Sequence, residues 1–222
     1  MQGKLIVIEG LDGSGKSTQW EMLKNVFKRA YFLTFPDYES ESGKIVKRYL
    51  NGEFEGSSAE NSAYSASSFY AIDRYISCKT SWGALYRSGT NIISARYTSS
   101  NGIYQMTKLP KSDWSCYLDW LYDFEHGKLE IPRPDLTVFL DVPIEISQEL
   151  LTKRYSQADC KSSKDIHEGD VDYLNKCREA ALFVAKRDGW IVVDCVESGK
   201  LRLPADINRE LSAIIEKELE HD

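Results

Sequence analysis

Lys4-Leu5-Ile6-Val7-Ile8-Glu9-Gly10-Leu11-Asp12-Gly13-Ser14-Gly15-Lys16-Ser17-Thr18 is the stretch that decides the fold. Its first half is apolar and β-branched, which reads as a short buried strand over Lys4–Glu9. Its second half matches G-x-x-x-x-G-K-[ST] in full through Gly10, Gly15, Lys16 and Ser17. From Ser17 to about Lys28 the pattern is helical. Glycines let the backbone wrap an anion with its N–H groups turned inward. A helix N-terminus behind them adds a favourable dipole. Gly10, Gly13, Ser14, Gly15, Lys16, Ser17 and Thr18 are therefore the candidate triphosphate-binding residues. Lys16 is expected at the β- and γ-phosphates, and the Ser17 hydroxyl on Mg²⁺.

Working outward, strands and helices alternate. Tyr31–Phe35 reads as a second strand, closed by Pro36. Ser42–Leu50 is a short helix, and Ala59–Tyr86 a long one that ends at Gly89. Asn91–Ala95 is a third strand. Helices are expected over Ser100–Lys108 and Ser112–Phe124. Leu136–Asp141 is a fourth strand, followed by a helix from Pro143 to about Arg154. Ser156–Gly169 is polar and reads as a short mobile lid. Val171–Arg187 is helical, Trp190–Val193 is the last strand and Ile207–Leu219 the last helix. The expectation is an α/β fold of three layers, a five-stranded parallel sheet with helices on both faces. No repeat or linker divides it, so residues 1–222 read as a single domain. Ligands of such sheets bind outside the carboxyl ends of the strands. Those ends are the loops after Glu9, Phe35, Ala95 and Asp141.

Composition excludes other classes. The 222 residues are 42% hydrophobic and 28% charged, with a net charge of −6. That balance argues against broad nucleic-acid binding, which needs a basic surface. The five cysteines include no C-x-x-C pair, so neither a disulfide framework nor a zinc site is expected. Free thiols fit a reducing cytoplasm. No stretch approaches the roughly 20 apolar residues that span a bilayer. The first apolar run is too short for a signal peptide.

The loop motif alone does not name the acceptor of the phosphate. A GTPase needs a downstream D-x-x-G and an N-K-x-D. Asn175-Lys176-Cys177-Arg178 ends in the wrong charge and lies in a helical pattern. An ATPase motor is usually larger and carries an apolar run ending in an acidic pair. A kinase for a small molecule or a nucleotide remains.

Further segments narrow this. Ile8–Gln19, Phe35-Pro36, Phe69-Tyr70-Ala71-Ile72-Asp73-Arg74, Arg96-Tyr97, Ser100-Asn101, Leu140-Asp141-Val142-Pro143 and Asp165–Glu168 follow in an order and spacing that resemble the thymidylate kinase family. The resemblance runs from about residue 4 to residue 195. It implies transfer of phosphate from ATP to thymidine monophosphate with Mg²⁺, commonly by a cytoplasmic homodimer. By position it places Asp12 near the 3′-hydroxyl of the acceptor and at the metal, and Tyr38 near the 5′-phosphate. Phe69 would stack on thymine and Arg74 donate to a thymine carbonyl. Helical spacing alone makes that pair a core aromatic and a surface arginine. Ser100 and Asn101 fall at the base edge, and Tyr104 beneath the sugar, where it would exclude a 2′-hydroxyl. Arg96 would bridge the phosphates and stabilise the transition state. Arg154, with Lys161 and Lys164, would close over ATP, and Glu168 would face the sugar end. Some family members carry an arginine in the phosphate loop, where this chain has Gly13.

Two departures stand out. The family's third strand ends Asp-Arg-Tyr, and here it ends Ala95-Arg96-Tyr97. The arginine usual after Phe-Pro is absent, replaced by Asp37-Tyr38-Glu39, with Lys44 and Lys47 as possible substitutes. Both changes touch metal placement and acceptor clamping, and both point to slower turnover. The alternatives are a nucleotide-binding protein of kinase ancestry and a kinase for another deoxynucleoside monophosphate.

Overall fold

Every residue of strand β1, Leu5–Gly10, is buried, as a strand covered on both faces requires. The structure is a computed structural model and describes residues 2–54, 62–157 and 170–220, with side chains described only up to Thr152 in the helix that ends at Gln157. After β1 come α1 (Lys16–Val26), β2 (Tyr31–Thr34), α2 (Glu41–Leu50), α3 (Ala63–Ser77), α4 (Gly83–Arg87) and β3 (Ile92–Ala95). Then follow α5 (Thr98–Tyr104), α6 (Trp114–Tyr122), β4 (Leu136–Asp141), α7 (Ile144–Gln157), α8 (Val171–Asp188) and β5 (Ile191–Asp194). A short hairpin, β6 (Val196–Glu197) with β7 (Lys200–Leu201), precedes α9 (Pro204–Glu220). The sheet is five-stranded and parallel, in the order β2-β3-β1-β4-β5. This is the expected α/β fold.

The chain falls into two compact units, each discontinuous in sequence. The first comprises Met1–Val7 and Arg29–Asp135. In it β2 pairs with β3 from Tyr31↔Ile92 to Thr34↔Ala95, and the Phe35 amide donates to the Ala95 carbonyl. Its core joins Leu5, Val7, Phe35, Trp82, Tyr86, Ile92 and Tyr97. The second comprises Ile8–Lys28 and Leu136–Asp222. There β4 pairs with β5 from Val138↔Ile191 to Asp141↔Asp194. Leu23, Leu140, Leu174, Val184, Val193, Leu211 and Ile215 are buried.

The long helix expected over Ala59–Tyr86 is two helices joined by a π-helical turn, Cys78–Trp82. Gly83 makes the turn possible, since a Cβ there would sit 2.3 Å from the Cys78 carbonyl oxygen. The extra residue lets fully buried Trp82 meet the rings of Tyr86 and Tyr97. A second π-helical turn, Asp123–Lys128, extends α6 beyond its expected end at Phe124. Most of the expected lid, together with Lys161, Lys164 and Glu168, lies outside the described residues; so does the expected start of the long helix. No helix among the described residues is long and apolar enough to cross a membrane.

Candidate functional site

In the second unit the glycine loop is shaped as its sequence requires. Gly13 and Gly15 both have φ of 79°, a left-handed backbone that costs residues with a Cβ roughly 1–2 kcal/mol. At Gly13 a Cβ would also lie 2.6 Å from the Ser147 carbonyl oxygen and 3.0 Å from Leu151 Cγ. A side chain at this position, such as an arginine, is therefore excluded by conformation and by space. At Gly10 a Cβ would lie 2.5 Å from Ser14 Oγ. Gly15 precedes α1, and no side chain caps that helix, so its first-turn N–H groups have no such competitor for an anion. Lys16 Nζ lies 3.2 Å from the Gly10 carbonyl, folded back over the loop. Ser14 Oγ is buried and has no hydrogen-bond partner among the described residues. Ser17 and Thr18 are exposed and Asp12 is half-buried.

These residues fit a triphosphate with its cation. The buried Ser14 hydroxyl needs an acceptor, Lys16 supplies charge, and Ser17 with Asp12 supply oxygen donors suited to Mg²⁺. Arg178 makes a bidentate pair with Asp141 at the end of β4, both contacts 2.7 Å. The hydrogen bonds to Asp141 raise the guanidinium above its ordinary pKa. This pair was not foreseen, because the sequence places Arg178 mid-helix, 37 residues from its partner. The backbone of Arg154 belongs to α7, and its side chain lies outside the described residues.

In the first unit the Asp73-Arg74 pair of α3 organises two networks. Asp73 is 1% exposed and holds the turn after β2. Its carboxylate accepts from the Asp37 amide (3.2 Å), Ser42 Oγ (2.7 Å) and Ser40 Oγ (3.3 Å). Ser40 in turn caps α2 by accepting from the Gly43 amide. Tyr38 lies on this turn, 40% exposed. Lys44, a suggested substitute for the missing arginine, pairs with Glu41, and both are exposed. Lys47 is also exposed.

Arg74 is 1% exposed, so it is no surface arginine. Its Nε and Nη2 donate to Glu125 at 2.7 and 2.6 Å, and its Nη1 to the Tyr97 carbonyl at 3.3 Å. Burial works against the charge, but the Glu125 carboxylate more than offsets it and raises the Arg74 pKa. Glu125 is fully buried and also accepts from Thr98 Oγ1 (2.8 Å) and Asn101 Nδ2 (3.1 Å). Asn101 is 2% exposed. No sequence motif singles out Glu125, which stands one residue past the expected helix end at Phe124.

Arg96 follows β3 with φ of 69°, uncommon for a residue with a side chain and typical of functional positions. Its carbonyl accepts from Ser94 Oγ at 2.6 Å. Its Nη1 donates to Tyr104 Oη at 2.9 Å, with the guanidinium 5.0 Å from that ring's centroid. Arg96 and Tyr104 are thus brought together, and the Ser100 amide donates to the Tyr97 carbonyl in the same helical start. Ala95, 6% exposed, offers no side-chain polar atom. Phe69 stacks with Tyr49 at 5.0 Å and with Phe54 at 5.3 Å. Tyr49 also meets the edge of Tyr70.

Comparison with known proteins adds independent findings. The family model for thymidylate kinase matches residues 8–203. The chain is 32% identical over 206 residues to the thymidylate kinase of Mycobacterium tuberculosis, covering 89% of this chain and 94% of that one. It is 27% identical over 223 residues to that of Dictyostelium discoideum, covering 98% and 86%. A solved thymidylate kinase structure from Candida albicans superposes with a TM-score of 0.73 at 26% identity, over 100% of this chain and 94% of that one.

Proposed function

The chain belongs to the thymidylate kinase family and is a nucleotide kinase; from that premise we propose that it transfers the γ-phosphate of Mg·ATP to thymidine monophosphate, giving thymidine diphosphate and ADP. The observation that carries the donor half is the Gly10–Ser17 loop, with Gly13 and Gly15 left-handed and a buried Ser14 hydroxyl that has no partner among the described residues. The loop amides and Lys16 hold the β- and γ-phosphates. Mg²⁺, when bound through Ser17 and Asp12, neutralises charge on the phosphate oxygens.

On the acceptor side, Asn101 and Ser100 read the base edge, and Arg74 has two N–H groups beyond its three internal bonds for a base carbonyl. Phe69 offers an aromatic face to the ring, in company with Tyr49 and Phe54. Tyr104 supports the sugar and positions Arg96. Arg96 stabilises the spread negative charge of the transition state. By the family resemblance Tyr38 serves the acceptor's phosphate and Asp12 its 3′-hydroxyl. Arg154 near the end of α7, with Lys161 and Lys164 of the lid, serves the ATP end, and Glu168 of the lid the sugar end. Ala95 supplies no carboxylate to fix the metal and its waters, so turnover is slower than an aspartate would allow. The chain acts in the cytoplasm as a homodimer. The exposed apolar row Tyr64, Ile72 and Ile76 on α3 supports a helical contact between copies.

The test is ADP formation from Mg·ATP with each nucleoside monophosphate in turn. Formation that depends on thymidine monophosphate supports the proposal. Faster ADP formation with another monophosphate, or none with any, rejects it.

A further inference from the structure

Glu125 sits in the π-helical turn after α6, where the chain has a role for it that the reaction does not make obvious. Insertions of this kind redirect a side chain and recur at functional sites. Each of its oxygens accepts two donors. Oε1 takes Arg74 Nη2 and Asn101 Nδ2, and Oε2 takes Arg74 Nε and Thr98 Oγ1. With its lone pairs filled, this carboxylate is purely an acceptor.

That fact fixes Asn101. Both hydrogen bonds of its side chain run through Nδ2, to Glu125 Oε1 at 3.1 Å and to the Ser67 carbonyl at 3.3 Å. Neither partner has a hydrogen to give. Turning the amide round would set Asn101 Oδ1 against two oxygens inside a buried site, which is costly. Oδ1, and not Nδ2, is therefore what Asn101 has to offer a ligand. Ser67 is itself fixed, its hydroxyl 2.6 Å from the Tyr117 hydroxyl, and that hydroxyl donates to the Asn101 backbone carbonyl.

We propose that Glu125 is a positioning residue that sets the acceptor preference by holding the Asn101 amide with its oxygen toward the base. An oxygen at that edge accepts from a ring N–H, as thymine has at position 3. It repels the bare ring nitrogen that cytosine has there. This inference rests on the reading of Asn101 as a base contact. The same carboxylate ties down the start of α5, directly through Thr98 and through Arg74 to the Tyr97 carbonyl, one residue past Arg96.

The test measures Kd for thymidine monophosphate and deoxycytidine monophosphate by calorimetry, on the full chain and on Glu125→Gln and Glu125→Asp. Thermal melting of each protein is recorded alongside. In Glu125→Gln one acceptor becomes a donor, so the preference for the thymine nucleotide falls at least about tenfold. In Glu125→Asp the charge is kept but the reach is shorter, and the preference falls less. Should Glu125→Gln fail to fold, the Asp variant carries the comparison. A purely structural role would weaken both nucleotides alike, and that outcome, or an unchanged ratio in the folded variants, overturns the inference alone. An unsubstituted chain that binds neither nucleotide overturns the functional reading and the inference with it.

Discussion

Ala95 and Arg96 are neighbours with opposite standing. Arg96 keeps the guanidinium, held in a left-handed backbone and bonded to Tyr104. Ala95 closes β3 with a methyl group, 6% exposed. A carboxylate there would draw on the metal, and metal stabilisation of transferring phosphate is worth several kcal/mol. Ala95→Asp should raise kcat for thymidine monophosphate at least about tenfold, which is about 1.4 kcal/mol of barrier. Steady-state kinetics with a parallel melting curve checks this. An unchanged rate in a folded variant refutes the account of slow turnover. Residue-scale reading of the sequence found Gly10–Ser17, because there chemistry and spacing coincide within eight positions. It passed over Glu125, whose partners Arg74, Thr98 and Asn101 are 51, 27 and 24 residues away.

At the scale of elements, helix ends do much of the positioning. Helix α2 begins with Ser40 as cap and packs its first turn against the Asp37 carbonyl. Gly43 is what lets it approach, since a Cβ there would stand 1.7 Å from that oxygen. Gly43→Ala gains helix propensity of up to about 1 kcal/mol, but the overlap is with backbone and cannot relax cheaply. The net effect should be a loss of about 1–3 kcal/mol. A chain of this size would then melt several degrees lower, at about 2–4 °C per kcal/mol. Differential scanning calorimetry reads the change, and a Tm equal to or above that of the unsubstituted chain contradicts it. The helix expected over Ser42–Leu50 is found at Glu41–Leu50, one residue earlier, because Ser40 caps it. The break in the long helix is not marked by proline, and the one glycine beside it, Gly83, is tolerated within many helices, so it does not announce a break. The turn exists to bury Trp82, a demand made by the core rather than by local preference.

For the whole molecule, acid sensitivity follows from His126. Burial lowers its pKa from the ordinary 6.5, opposed by its bond to the Ile131 carbonyl and by Glu125. The folded chain therefore holds a neutral imidazole at a pH where the unfolded chain has taken up a proton. Stability from this group is complete above about 6.5 and declines as pH falls from there to the lowered folded value. Urea unfolding at pH 7.5 and 5.5 should show a smaller pH dependence in His126→Gln than in the unsubstituted chain. Equal dependence would remove His126 from the explanation. Association is a second property at this scale. Ile72→Glu puts a charge in the middle of the exposed α3 row; light scattering should report the proposed dimer for the unsubstituted chain and a monomer for this variant. A variant that stays dimeric moves the contact elsewhere.

The sequence by itself determined the strand-loop-helix at the N-terminus, the alternation that makes a parallel sheet, and the donor loop. These are written in contiguous residues, where hydrophobic period and glycine placement act locally. Only the tertiary structure decided that Arg74 is buried on Glu125, that Asp73 holds the turn carrying Tyr38, and that the Asn101 amide nitrogen is held by Glu125. Those outcomes depend on which distant donors and acceptors meet once water is excluded. A buried charge must find its partner across the fold, and one-dimensional spacing holds no record of that pairing.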